Sequence, residues 1–466
     1  MSADSPPVPT AGADLARRLG PIDATLVVMG GIVGSGIFMN PAVVARQVHT
    51  PFLIHGAWVL GGLVALLGAF VWAELASRRP QVGGQYAYLR EAYHPVLAFV
   101  YGWGLLLVTQ SGGMAAVAVT FARYARELGV DMPVGALAAL ALATLTVINC
   151  FGVRAGAASQ NLFMVLKLVA IAGLVATGAL LAPRHPEAAA VALDRPLSLD
   201  LVTAYGAALV PVLFAYGGWQ TAAFLAGEVR EPRKNLPRGL LLGVGGVIVL
   251  YLSVSWVCLR VLGPAGLAAT NTPASDVMRA ALGLPGARLI AAGIAISTLG
   301  FLSQSMLTAP RVYYAMAADG TFFSAVARVH PRTRVPIAAI ALQGVVAIVV
   351  ALTGSYEHIL SFVVAVDWIF FGLAASCLFA LRRHDRERGG AGGEQAGADQ
   401  VFHNPGHPLT TILFIAVAAL VVANTAYRYP TNSAIAFAIL LTGVPVYWLW
   451  TLSARRGAPR DGAPRG

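Results

Sequence analysis

Charge is scarce in this chain. Only 11% of its 466 residues are Asp, Glu, Lys or Arg, whereas 57% are hydrophobic and the mean hydropathy is +0.71. A soluble domain carries roughly a quarter charged residues, so the composition excludes one and indicates an integral membrane protein. Cysteine is scarcer still. Cys150, Cys258 and Cys377 lie far apart within apolar stretches and read as small core residues, not as disulfide or metal partners. His55, His330 and His358 stand at the ends of apolar runs without metal-ligand spacing. No nucleophile constellation and no nucleotide-binding loop is present. The expectation is therefore no enzyme, no ATP-driven pump, no cofactor and no metal. No cleavable leader is expected either, because residues 1–20 are polar and proline-rich, with Arg17 and Arg18 ahead of the first apolar run.

What the sequence does have is long apolar runs of about 20 residues, the length that spans a bilayer. Twelve are expected, beginning near Ile22, His55, Pro95, Pro133, Ala155, Thr203, Gly239, Ala287, Pro336, Ile359, Pro408 and Ser433. With the N-terminus inside, most of the 32 basic residues fall on the cytoplasmic side. That bias places both termini in the cytoplasm and the protein in the cytoplasmic, inner membrane of the cell. Topology thereby accounts for the net charge of +11, and no nucleic-acid partner is implied. Residues 1–19 and 456–466 read as cytoplasmic tails of a single transmembrane domain, 20–455. Within it, the glycine-rich and charged stretch 386–399 reads as a flexible cytoplasmic loop.

Two of the apolar runs are interrupted by small residues. The first reads Val28-Met29-Gly30-Gly31-Ile32-Val33-Gly34-Ser35-Gly36-Ile37-Phe38 and the second Leu213-Phe214-Ala215-Tyr216-Gly217-Gly218-Trp219. In hydrocarbon every backbone polar group needs a partner, so non-helical backbone survives only where it lines a cavity or binds something. Breaks in the first and sixth spans fit a five-plus-five inverted repeat followed by two extra helices. A broken helix offers unpaired N–H groups at the start of its second half and unpaired C=O groups at the end of its first. The N–H groups around Ser35, Gly36 and Ile37 suit a carboxylate, with Gly34 and Gly36 allowing close approach and the Ser35 hydroxyl as an added donor. The carbonyls near Phe214, Ala215 and Gly217 suit an ammonium. A ligand with both groups is an α-amino acid. The competing reading is that these glycines only permit close helix packing.

These segments resemble the amino acid–polyamine–organocation transporters, and within them the L-amino acid transporter branch and its bacterial relatives. The resemblance spans nearly the whole membrane region. It rests on the two breaks, on Gly83-Gly84-Gln85-Tyr86-Ala87-Tyr88-Leu89-Arg90-Glu91-Ala92-Tyr93, on Glu228 with Glu231-Pro232-Arg233-Lys234-Asn235-Leu236-Pro237, and on Arg311-Val312-Tyr313-Tyr314-Ala315-Met316 with Asp319-Gly320. It implies the leucine-transporter fold, alternating access, and contacts to the backbone of the substrate from Ile32, Ser35, Gly36, Phe214 and Gly217. It also implies that Phe214 is the thin gate toward the outside.

Lys167 is the only lysine inside an apolar run, ~20 Å along a helix from Arg154, and an intramembrane charge is a functional hypothesis by default. It resembles the family lysine whose ammonium occupies the place of a sodium ion. Its expected partners are carbonyls near Gly31 and Ile32 and the hydroxyls of Ser297 and Thr298; a purely structural cation is the alternative. Three departures from the family pattern remain. Ser303 stands where many relatives have Asn, altering the pocket for the substrate side chain. The stretch Glu127 to Met132 lacks the cysteine that attaches a heavy subunit in animal members, so no heavy subunit is expected. Asp367 is left open between a proton relay, a substrate contact and a partner within the bundle. Glu74, near Arg78 and Arg79, is expected in a gate or loop-anchoring pair worth about 1 kcal/mol or less if solvated.

The expected function is sodium-independent transport of neutral L-amino acids across the lipid bilayer by exchange. Neutral is expected because no unpaired charge accompanies either break. The alternatives are a proton-coupled symporter in which Lys167 titrates and, from another class, an amino acid-sensing receptor. Which amino acid is carried and the oligomeric state are not readable.

Overall fold

The computed structural model describes residues 20–457, except 80–83, 153–156, 187–191, 221–228, 319, 324, 325, 327, 329, 331, 332, 334 and 390–400. Pro21–Ile32 (α1) and Gly36–Gln47 (α2) are one apolar run broken at 33–35, and its halves meet at 43°. Helix α1 starts on a proline whose fixed φ suits the first turn, and the Asp23 carboxylate accepts from the Gly20 N–H at 2.9 Å. At its end the Gly34 N–H turns back to Ile32 O at 2.8 Å instead of reaching four residues.

The remaining helices are Pro51–Arg78 (α3), Gly84–Ala92 (α4), Pro95–Gly104 (α5), Gln110–Glu127 (α6), Val134–Cys150 (α7), Ala157–Leu180 (α8), Leu199–Tyr216 (α9), Pro232–Ala269 (α10), Pro273–Thr308 (α11), Pro310–Ala318 (α12), Ile337–Thr353 (α13), Tyr356–Gly389 (α14), Leu409–Arg428 (α15) and Pro430–Gly457 (α16). A single π turn, Leu105–Thr109, joins α5 to α6. Glycines at positive φ bend α10 at Gly263 and α11 at Gly283. The second bend explains why the apolar part of α11 is read to start at Ala287, although the helix begins at Pro273.

Eight of these rods are long and apolar enough to cross a membrane, and a ninth is the bent α1–α2 pair; α7, α13 and Met164–Leu180 of α8 are shorter apolar helices. The protein is thus an all-α, multi-pass membrane protein with a broken first span. The loop expected from Arg386 begins later, because α14 continues to Gly389. The rest of that loop, the tails 1–19 and 458–466, and the motif residues Gly83, Glu228 and Asp319 lie outside the described residues.

Helix α3 packs along α10, α1 also lies against α10, α6 packs on α11, α7 on α13, and α2 on α9. Rings seal the interior: Trp58 meets Tyr216 and Tyr251, while Trp72 meets Trp219, Phe371 and Phe414. Leucines and valines such as Leu63, Val169, Leu242, Leu289 and Val349 point outward, the arrangement a hydrocarbon surrounding favours. Cys150, Cys258 and Cys377 are free thiols.

Charged side chains gather at the two ends of α14. At one end, Arg382 grips Glu74 with two hydrogen bonds of 2.8 and 2.7 Å, while Arg78 and the Asn404 N–H also donate to it. Arg78 and Arg79 both pair with Asp385, and Arg79 with Glu91. The Glu74 side chain is 0% exposed, so the solvated pair expected here is instead sealed, and α14 and the chain after residue 400 supply partners that no local spacing reveals. At the other end Arg46 pairs with Glu357 at 2.8 Å, each about 30% exposed, and donates to Ala268 O and Thr270 O.

Candidate functional site

At the first break the Ile32 and Val33 carbonyls are occupied, while three amides have no partner among the described residues. Tyr251 Oη donates to Ile32 O at 3.0 Å, Lys167 Nζ to Val33 O at 2.7 Å and Tyr124 Oη to Phe38 O at 2.7 Å. Phe38 N–H turns back to Ser35 O at 3.1 Å, but the N–H groups of Ser35, Gly36 and Ile37 have no partner among the described residues. Ser35 is 1% exposed and its Oγ is also without a hydrogen bond. The Tyr356 hydroxyl lies in its neighbourhood but donates to Asn40 Oδ1 at 2.9 Å. Asn40 Nδ2 in turn donates to Pro211 O at 2.5 Å, tying α2 to α9 and α14.

The second break follows α9. Gly217 is extended and its N–H returns to Phe214 O at 3.2 Å, so the last carbonyls of the helix lack helical donors. Gly218 has φ +113°, and a Cβ there would lie 2.2 Å from Gly31 O. The two breaks therefore touch, backbone to backbone. A Cβ on Gly36 would lie 2.8 Å from Ala215 Cα, so this glycine serves helix packing as well as any approach of a ligand. Gly34 is freer, facing the Phe301 ring at 3.4 Å.

One central cavity collects most of the expected residues: Gly31, Ile32, Gly34, Ser35, Gly36, Phe214, Ala215, Gly217 and Asp367 all line it. Ile37 does not, being fully buried with its side chain in the core. A second cavity behind it holds Lys167, Ser297 and Ser303. Phe301 and Gln304 line both and form the partition, with the Lys167 ammonium 5.8 Å from the Phe301 ring centre.

Several placements differ from the sequence reading. The carbonyl that Lys167 meets is Val33 O, one residue beyond those expected, because Tyr251 already holds Ile32 O. The Thr298 hydroxyl bonds back to Ile294 O and Ala295 O of its own helix, a common use of a threonine within a helix. Ser303 donates to Asn149 Oδ1 at 3.1 Å and faces the lysine cavity; on α11 Ser305, at i+4 from Phe301, lines the central cavity alone, while Phe301 and Gln304 line both. Thr109, Gln110, Gln220 and Gln304 line the central cavity and were not expected from the sequence. Thr109 and Gln110 sit at the π turn, a distortion frequent at functional sites. Polar residues in the middle of apolar runs were the available signal.

The amino acid permease family model matches residues 19–450. The serine/threonine exchanger SteT of Bacillus subtilis (strain 168) is 30% identical over 446 residues, covering 93% of this chain and 97% of that protein. The human large neutral amino acids transporter small subunit 2 is 27% identical over 452 residues, covering 94% of this chain and 81% of the relative. The human b(0,+)-type amino acid transporter 1 is 28% identical over 388 residues, with 80% and 78% covered. A relative named as a small subunit overturns the expectation that no heavy subunit pairs with a chain of this kind. The missing cysteine removes one covalent link only, and subunits also associate through buried surface without any disulfide.

Proposed function

This chain belongs to the amino acid permease family and is a membrane transporter, not an enzyme; from that premise we propose that it exchanges L-α-amino acids across the cytoplasmic membrane without sodium. The observation that carries the reading is the buried start of α2. There three N–H groups and the Ser35 hydroxyl have no partner among the described residues, against the carbonyl end of α9. A substrate carboxylate satisfies the first set and its ammonium the second, the positive and negative ends of two half-helices. In this reading Ile32, Gly34, Ser35, Gly36 and Ile37 bind the carboxylate end, and Phe214, Ala215 and Gly217 the amine end. Phe214 closes over the substrate as a gate. Lys167 supplies the fixed positive charge that a sodium ion provides elsewhere, with Val33 O as its partner.

The finer architecture belongs to the same proposal: twelve spans in one domain, 20–455, both termini cytoplasmic, arranged as two inverted five-span repeats plus two helices. The three shorter apolar helices complete the twelve if each crosses, about 17 residues being the lower limit for a span. The packing supports the repeat, since α3 with α10, α6 with α11 and α7 with α13 are each pairs five spans apart. A two-fold axis relating the halves would bring such mates together.

Exchange is tested in proteoliposomes. Labelled amino acid should enter vesicles preloaded with unlabelled amino acid far faster than empty ones, and replacing sodium by choline should change nothing. A strict sodium requirement would overturn the role of Lys167. Accumulation into empty vesicles driven by a proton gradient, and lost on adding a protonophore, would replace exchange by symport.

A further inference from the structure

Asp367 has a carboxyl group that no cation described in the protein pairs with. It lies eleven residues into α14, about 17 Å from its start at Tyr356, in the membrane-spanning part of a helix of 34 residues. The Thr109 hydroxyl is beside it without forming a hydrogen bond, and no ion pair reaches it among the described residues. Arg382, on the same helix, is about 22 Å farther along and is held by Glu74. The ammonium of Lys167 belongs to the other cavity, beyond Phe301 and Gln304.

This carboxylate lines the same cavity as Ser35, Gly36 and Phe214. An isolated ionised carboxylate out of water is unfavourable by several kcal/mol unless a cation meets it. A neutral amino acid brings none to spare, because both of its charges go to the helix ends. A hydroxylated side chain brings a hydrogen bond but leaves the charge uncompensated, and an acidic one adds repulsion. A side chain ending in an amine or guanidinium supplies the missing charge, and Gln110, which lines the same cavity, has an amide oxygen for its other N–H groups.

We propose that Asp367 selects the substrate side chain and that the carrier takes cationic amino acids, such as lysine, ornithine or arginine, in preference to neutral ones. The inference rests on the exchange site described above and replaces the expectation of neutral substrates, whose ground was the absence of an unpaired charge beside the breaks.

The test is a competition panel in proteoliposomes holding the full chain and preloaded with lysine and leucine together. Labelled lysine uptake should be blocked by arginine and ornithine and little affected by leucine, serine or glutamate. In Asp367→Asn, similar in shape but uncharged, the ratio of lysine to leucine uptake should fall by at least about tenfold, the size of one charge-assisted hydrogen bond. Wild-type protein that exchanges leucine or serine and ignores lysine overturns the inference, as does an unchanged ratio in the variant. Leucine accumulation driven by a proton gradient and abolished in Asp367→Asn also overturns it, making the residue a proton carrier. Should the variant not insert, the wild-type panel alone decides. Failure of the wild type to exchange any amino acid is a different result, which removes the exchange reading itself.

Discussion

The two interruptions are stabilised by different means. The first is propped by side chains from distant helices, with Tyr251, Lys167 and Tyr124 donating to the carbonyls of Ile32, Val33 and Phe38. The second relies on its own backbone and on a ring: Gly218 adopts φ +113° against Gly31 O, and Trp219, fully buried, packs on Trp72 and Phe371. The comparison shows that the chemistry of a break depends on which of its ends the protein satisfies. In the proposed site the open amides of the first, next to its occupied Ile32 and Val33 carbonyls, receive the anion. In the same proposal the carbonyl end of α9 receives the cation.

Substitutions that attack each kind of support separately would sharpen the contrast. Gly218→Val has the largest expected effect, because an unfavourable φ of about 1–3 kcal/mol adds to a direct collision with Gly31 O. Little folded protein should survive detergent extraction and size-exclusion chromatography. Lys167→Ala comes next. It strips Val33 O of its donor, a loss of about 1–3 kcal/mol for a buried polar group, and should cripple counterflow while leaving a protein that still purifies. Tyr251→Phe removes one hydroxyl from a carbonyl that keeps the Gly34 N–H, so a lowered melting temperature equivalent to about 1 kcal/mol is expected, with transport reduced and not abolished. Ser35→Ala is the mildest. Its Oγ has no hydrogen-bond partner among the described residues, so the melting temperature should not drop, whereas substrate affinity should weaken about fivefold, or ~1 kcal/mol. A stability loss in Ser35→Ala, or none in Tyr251→Phe, would break the distinction between a satisfied carbonyl end and an open amide end.

Much of this arrangement is legible in the chain. Helices begin close to Ile22, Pro95, Pro133, Pro336, Pro408 and Ser433, because proline and polar residues punctuate apolar runs, and the small residues at 33–36 and 217–218 mark where the helices stop. Pairings across the bundle are less legible. Spacing cannot tell whether Lys167 meets residue 32 or 33, since a non-helical turn has no fixed register, and the competing donor, Tyr251, comes from α10. Gly36 reads as room for a ligand, yet Ala215 lies where its side chain would be, a fact about how two helices cross. Ser303 falls to the lysine cavity through a rotation of 100° per residue about α11. Whether the Asp367 carboxylate is paired depends on groups from other helices, so only the folded structure decides it.

The ion pairs at the two ends of α14 also make the two exits unequal. An ion pair at the rim, such as Arg46 with Glu357, gives up little on parting, because water takes over each charge. Glu74 is sealed among Arg78, Arg382 and the Asn404 N–H, and separating it from them first uncovers a bare charge, at about 3–5 kcal/mol for a broken buried pair. Parting the charges at that end therefore costs more than at the other, and the residues that carry this cost do not line the central cavity. The two ends of α14 are thus held with very different firmness, and a substitution at Glu74 acts on the bundle without touching a residue of the cavity.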